Sequence, residues 1–184
     1  MTEKEHEFKM LLTNREYQFL LQLFDHLMTE SEAQTNYYYD TRDEAMRKNN
    51  VTVRVREKNR RLTGTIKQHL ETGHCSLEKH FHVDTIPQVI ILDSMPVFLK
   101  GSLKTDRKVA QVGEGITLTL DQNHNLDTVD YELEHEYTLP FYKQAQGVLM
   151  LINSLLQNQE KREVVSKSER FFRRLHLNGG VSYD

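Results

Sequence analysis

Polar and apolar residues alternate at period two through much of this chain, and each alternating stretch predicts a strand with one face buried. In EHEFKM, Phe8 and Met10 share one side while Glu5, Glu7 and Lys9 share the other. VTVRVREKN (51–59) sets Val51, Val53 and Val55 against Thr52, Arg54 and Arg56. RRLTGTIKQHL (60–70) gathers Arg61, Thr63, Thr65, Lys67 and His69 on one face, and HCSLEKHFHVD (74–84) gathers Ser76, Glu78, His80 and His82. Further strands are predicted from Gln34 through TNYYYDTRD, and at 102–112, 115–123 and 127–137, with Gly113 and Gly115 marking a hairpin turn.

Helical spacing interrupts this pattern in four places. Thr13 followed by Glu16 reads as a capping box, and Tyr17, Leu20, Leu21, Phe24, Leu27 and Met28 recur as one apolar stripe. QVIILDSM after Pro87 predicts a short middle helix, and residues 140–158 and 164–177 predict two more. About eight mostly consecutive strands with segregated helices make an α+β chain.

Composition narrows the function classes. At 184 residues a single domain over 1–184 can bury a sizeable core. A net charge of −3 argues against nucleic acid as the partner, and no apolar run approaches a membrane span. The acidic start carries no secretory signal, and one cysteine, Cys75, suits a reducing cytoplasm. Nine histidines invite a zinc reading, but no HxxxH or CxxC spacing accompanies them.

The polar faces are sorted by chemistry. They carry Glu5, Glu7 and Lys9, then Arg54 and Arg56, then Lys67, then Glu78 with His80, then Arg107, Asp121, Glu132, Glu134 and Glu136. Each strand alone reads as a solvated sheet face. Together they suit the inside of a barrel, with helices covering the apolar side. Guanidinium and ammonium groups match phosphate oxygens, while crowded carboxylates ionise together only around a cation, for which oxygen donors select Mg²⁺ or Mn²⁺.

EHEFK also resembles the ExExK signature of the CYTH domain, the triphosphate tunnel metalloenzymes. YYYDT, VRVR, LTGTIK, TLTLD, YELEHE and KSERFFRRL are similar to the family's later elements in the same order. The resemblance implies an eight-stranded antiparallel β-barrel, a tunnel, with helices packed outside. It implies metal-dependent hydrolysis of a triphosphate, inorganic or carried by a nucleoside or thiamine. Lys9, Arg54, Arg56, Lys67 and Arg107 would bind the phosphates. Glu5, Glu7, Glu78, Asp121, Glu132, Glu134 and Glu136 would hold Mg²⁺ or Mn²⁺, the register of the last acidic pair being open between 132/134 and 134/136. Lys9, Arg56 and Glu134 are the expected catalytic residues.

Two positions depart from that pattern. His80 stands where a second acid is expected beside Glu78, and Thr105 where a base is expected before Arg107. These departures keep a second reading open, a module that binds polyphosphate or nucleotide without turnover. An adenylyl cyclase is a third reading.

Overall fold

The structure, a computed structural model, describes residues 2–70, 75–157 and 165–179. The predicted element ends at His74, Asn158 and Val164 lie outside these residues. Nine antiparallel strands form one sheet: β1 (Thr2–Leu12), β2 (Met28–Asp40), β3 (Val51–Lys58), β4 (Arg61–His69), β5 (Cys75–Phe81), β6 (Val89–Leu92), β7 (Met95–Gly113), β8 (Ile116–Asn125) and β9 (Thr128–Tyr137). Their order is β2-β3-β4-β5-β1-β9-β8-β7-β6, and pairing of β2 with β7 closes eight of them into a barrel. No helix among the described residues is long and apolar enough to cross a membrane.

The barrel turns the usual arrangement inside out, because its apolar side faces outward and is covered. Helix α1 (Asn14–Phe24) starts with the expected capping box, Thr13 accepting from the Glu16 amide while Glu16 accepts from that of Thr13. Its Tyr17 and Leu20 pack on Met10, Leu12, Leu118, Leu120 and Leu133, with Ile152 of α3 (Tyr142–Leu155). The stripe stops short of Met28: α1 gives way to a 3₁₀ turn at Asp25–Leu27, and Met28 already opens β2.

The segment after Pro87 is not a helix. Residues 89–92 form β6, whose hairpin with β7 lays Ile90 and Val97 over Val53 and Val55. A four-residue apolar run cannot be assigned by periodicity, and the uncovered outer face of β3 decides it. A short helix, α2 (Ala45–Lys48), was not legible in the sequence. It is anchored by Asp40, which accepts the amides of Thr41, Met46 and Arg47 at 2.7, 2.9 and 3.0 Å. The hairpin turn at 113–115 is present, with Gly115 at φ +62, where an added Cβ would meet Thr138 Oγ1 at 2.5 Å.

Helix α4 (Lys167–Leu177) plugs one end of the barrel. Phe171 and Phe172 pack on Tyr38 and Leu103. Gly101, at φ +150, leaves space that a Cβ would contest with the Phe171 ring at 2.9 Å. Arg47 of the α2 turn holds α4 from outside through a fork on Glu169, at 2.6 and 2.8 Å.

Candidate functional site

Because side chains alternate along a strand, each predicted charge is delivered to the barrel interior. On β1 and β9, Glu7 stands opposite Glu136, Lys9 opposite Glu134 and Leu11 opposite Glu132. On β4 and β5, Lys67 stands opposite Glu78, and on β7 and β8, Arg107 opposite Asp121. Glu7, Lys67, Glu78, Asp121, Glu132 and Glu134 are all buried.

Most of these charges are paired. Lys67 donates to Glu7 at 3.0 Å, lies 3.1 Å from Glu78 and also contacts Glu5. Lys9 lies 3.1 Å from Glu7 and 3.5 Å from Glu134. Arg107 forks onto Asp121 at 2.8 and 2.6 Å and reaches Glu134 at 2.5 Å. Burial alone would lower the pKa of all three cations. Their carboxylates overcome it and raise them, Glu134 leading for Lys9 and Arg107 and Glu7 for Lys67. Glu134 is in turn held well below the usual carboxylate range, against the opposing effect of its burial, by Lys167, Arg107 and Lys9.

Two basic groups stand apart. Arg56 donates its Nε–H to Asn36 at 2.9 Å, and among the described residues no carboxylate comes within 4 Å of it. Burial, with Arg54 and Arg107 nearby, lowers its pKa to about 10. Among the described residues Arg54 has only Glu78 as an ionic partner, at 3.7 Å, and its Nε is buried without a hydrogen-bond partner. One acid stands apart as well. Glu136 has no cation within salt-bridge reach among the described residues, and burial with Glu134 and Glu5 nearby pushes its carboxyl up to about 7.

Helix α4 contributes residues that strand alternation could not reveal. Lys167 is buried and donates to Asp121 at 2.5 Å and to Glu134 at 3.4 Å. Arg170 bridges Glu132 and Asp130, each at 3.0 Å. Lys167, Arg170 and Phe171 share a helix face at i, i+3 and i+4, and that spacing was the available signal. Asp121, Glu132 and Glu134 bring one oxygen each within 4.8 Å of one another, an arrangement able to hold a metal.

The free interior is narrow, about 50 Å³, and is lined by Glu5, Glu7, Lys9, Arg54, Arg56, Lys67, Arg107, Glu134 and Glu136 with Lys167. Asp121 and Glu132 do not reach this lining, and Glu78 lines the adjoining space at the β3–β4 hairpin end instead. All three β9 acids point inward and differ in their partners: Glu132 is taken by α4, Glu134 is shared among Lys9, Arg107 and Lys167, and Glu136 has no cation within salt-bridge reach among the described residues. Of the departures, His80 sits at the rim, 3.2 Å from Thr65 Oγ1 and 3.8 Å from Glu78. Thr105 is fully buried and donates to Asn123 at 2.7 Å, so a neutral pair replaces the expected base.

A closed antiparallel barrel whose interior is a charged tunnel defines the class of this protein. The chain belongs to the CYTH domain family, whose model matches residues 3–169. It is 26% identical over 150 residues to "Putative triphosphatase YjbK" of Bacillus subtilis (strain 168), covering 73% of this chain and 77% of that protein. A Bacillus halodurans protein described as a "putative adenylate cyclase" superposes with a TM-score of 0.74 at 25% identity, over 93% of this chain and 98% of the other. A Hippeastrum protein described as a "putative adenylyl cyclase" with a dominant triphosphatase activity superposes with a TM-score of 0.69 at 17% identity, over 100% and 98%.

Proposed function

We propose that this protein is a metal-dependent hydrolase of a triphosphate bound inside the tunnel. The observation that carries the reading is the Arg54–Arg56 pair, two guanidiniums held inside the protein that share, among the described residues, a single carboxylate, Glu78, at 3.7 Å from Arg54. Burying cations without counterions costs stability, and an anionic ligand offsets that cost. The triphosphatase name carried by the Bacillus subtilis relative supports the same substrate class.

The acids fit a divalent cation. Glu7 and Glu136 face each other directly, like charges that cross-strand pairing disfavours, and among the described residues no cation lies within salt-bridge reach of Glu136. Glu5, Glu7 and Glu136, with Glu134 beside them, supply the oxygen donors that suit Mg²⁺ or Mn²⁺. When bound, such an ion would polarise phosphate oxygens and an attacking water.

The residues of the chain then exchange partners. Lys9, Lys67 and Lys167, now occupied by carboxylates, would be released toward phosphate oxygens if those acids held a divalent cation. Arg54, Arg56 and Arg107 stabilise charge on the equatorial and leaving oxygens during in-line displacement. Glu134, held ionised by three cations, orients and does not take up a proton. Glu136 changes protonation near neutrality, so its availability to the cation rises with pH. Single-cysteine usage fits a cytoplasmic location.

Phosphate release from tripolyphosphate, ATP and thiamine triphosphate, with Mg²⁺, Mn²⁺ or a chelator, tests this. Release that depends on the metal supports hydrolysis; none with any metal and any triphosphate sinks it. His80 and Thr105 favour one alternative, a receptor that binds without turnover. Calorimetry showing tight tripolyphosphate binding alongside absent release would establish that reading. Cyclic AMP produced from ATP would instead favour a cyclase.

A further inference from the structure

The tunnel is not the only anion-facing space. At the end formed by the β3–β4 hairpin lies an open cavity of about 690 Å³, lined by Arg54, Arg56, Lys58, Arg61, Thr63 and His80 among others. Arg54 and Arg56 line both this cavity and the narrow interior, so the two spaces meet at the arginine pair. Helix α4 packs over Tyr38 and Leu103 and sends Lys167 into the interior, whereas the hairpin mouth stays open.

The cations continue outward past the tunnel. Arg54, Arg56 and Lys58 occupy alternate positions of β3, and two residues of strand advance about 7 Å. Lys58 pairs directly with Arg61 across the hairpin, like charges where pairing prefers opposite ones. The two residues between them, Asn59 and Arg60, both take positive φ, at 51° and 61°, the two-residue turn that glycine usually serves. This tip therefore carries Lys58, Arg60 and Arg61 where uncharged turn residues would fold more easily.

Little neutralises that row. Lys58 has Glu32 at 2.5 Å, but Arg61 has no carboxylate within salt-bridge reach among the described residues. The acids of the cavity, Glu5 and Glu78, are both already engaged by Lys67. Thr63 and Thr65 on β4 add hydroxyl groups to the same wall, and Thr65 meets His80 at 3.2 Å. An extended anion leaving the arginine pair by this mouth would meet cations and hydroxyls along its length.

We infer that the hairpin-end cavity is a second phosphate subsite, which takes the units of a linear polyphosphate that extend beyond those seated in the tunnel. This deepens the proposed function and rests on its placing a triphosphate at Arg54 and Arg56. The ligand class is an inorganic phosphate chain longer than three units. Arg61 and Lys58 grip the extension and make no contact with the reacting end.

Calorimetry in chelator, without metal and hence without turnover, compares tripolyphosphate with a long linear polyphosphate on the whole protein. The wild type is expected to bind the long chain about tenfold more tightly per chain. Arg61→Ala should shrink that advantage, and Lys58→Ala/Arg61→Ala should remove it, with tripolyphosphate affinity unchanged. Arg61→Glu should push the long chain below the triphosphate. Both side chains lie at the hairpin tip, and unchanged thermal unfolding confirms that the variants fold. Equal affinities in the wild type, or an advantage that survives in the double variant, overturns the subsite alone. If neither anion binds in chelator, the subsite falls alone, and the proposed function, which needs the metal, is decided by metal-dependent phosphate release.

Discussion

Glu136 faces Glu7 directly across the β1–β9 ladder, and of the two only Glu7 has cations within reach, Lys9 and Lys67. Its carboxyl, raised to about 7, binds a proton in the folded protein that it would release in the unfolded chain between about pH 4.5 and 7. This contribution to stability is therefore complete below pH 4.5 and lost as pH rises through 7. Metal-free protein should show this loss in thermal unfolding, Mn²⁺ should reverse it, and Glu136→Gln should flatten it. A metal response at pH 8 that is unchanged in Glu136→Gln would remove Glu136 from the cation site.

Arg56 and Arg107 should behave oppositely when removed. Arg107 forks onto Asp121 and reaches Glu134, so Arg107→Ala leaves these buried carboxylates to Lys167 and Lys9 and should cost about 2–3 kcal/mol of stability. Arg56 leaves no carboxylate behind. Arg56→Met should keep or raise the melting temperature without ligand, while lowering kcat/KM for triphosphate by about a hundredfold or more. Denaturant unfolding and phosphate release on the two variants, side by side, check both halves. Parallel stability losses would contradict the view that Arg56 is held in readiness for an anion.

His80 supplies a test of the site's departure from the family pattern. It is partly exposed at the rim, 3.8 Å from Glu78, so His80→Glu adds a carboxylate at little cost to folding. The variant should reach half-maximal metal-dependent phosphate release at a severalfold lower Mn²⁺ concentration. An unchanged requirement would show that this strand does not face the metal.

Acid should destabilise the protein through His135. Its ring is fully buried near Phe8, with neither nitrogen hydrogen-bonded, and burial lowers its pKa to about 4. The unfolded chain binds this proton near pH 6.5 and the folded one does not, so stability is complete above 6.5 and falls as pH drops toward 4. The loss amounts to about 3 kcal/mol. Unfolding at pH 7.5 and 5.0 should show about 2 kcal/mol of it, and His135→Leu should abolish most of the difference. This slope opposes that of Glu136, and the two variants separate them.

Strand alternation was enough to bring Glu5, Glu7, Lys9, Arg54, Arg56, Lys67, Glu78, Arg107, Asp121, Glu132, Glu134 and Glu136 onto one face, because side-chain direction along a strand is a local property. The capping box at Thr13 and the turn at Gly115 were legible for the same reason. What each charge meets was not local. Lys167 and Arg170 come from a helix that begins about thirty residues beyond the last strand, and only its docking on Tyr38 and Leu103 brings them to Asp121, Glu132 and Glu134. The segment after Pro87 became a strand because Val53 and Val55 required an outer cover. Pattern thus dictated which residues share a face. Closure of β2 on β7 made that face an interior, and there burial and pairing distinguished Arg107, forked onto Asp121, from Arg56, which among the described residues meets no carboxylate.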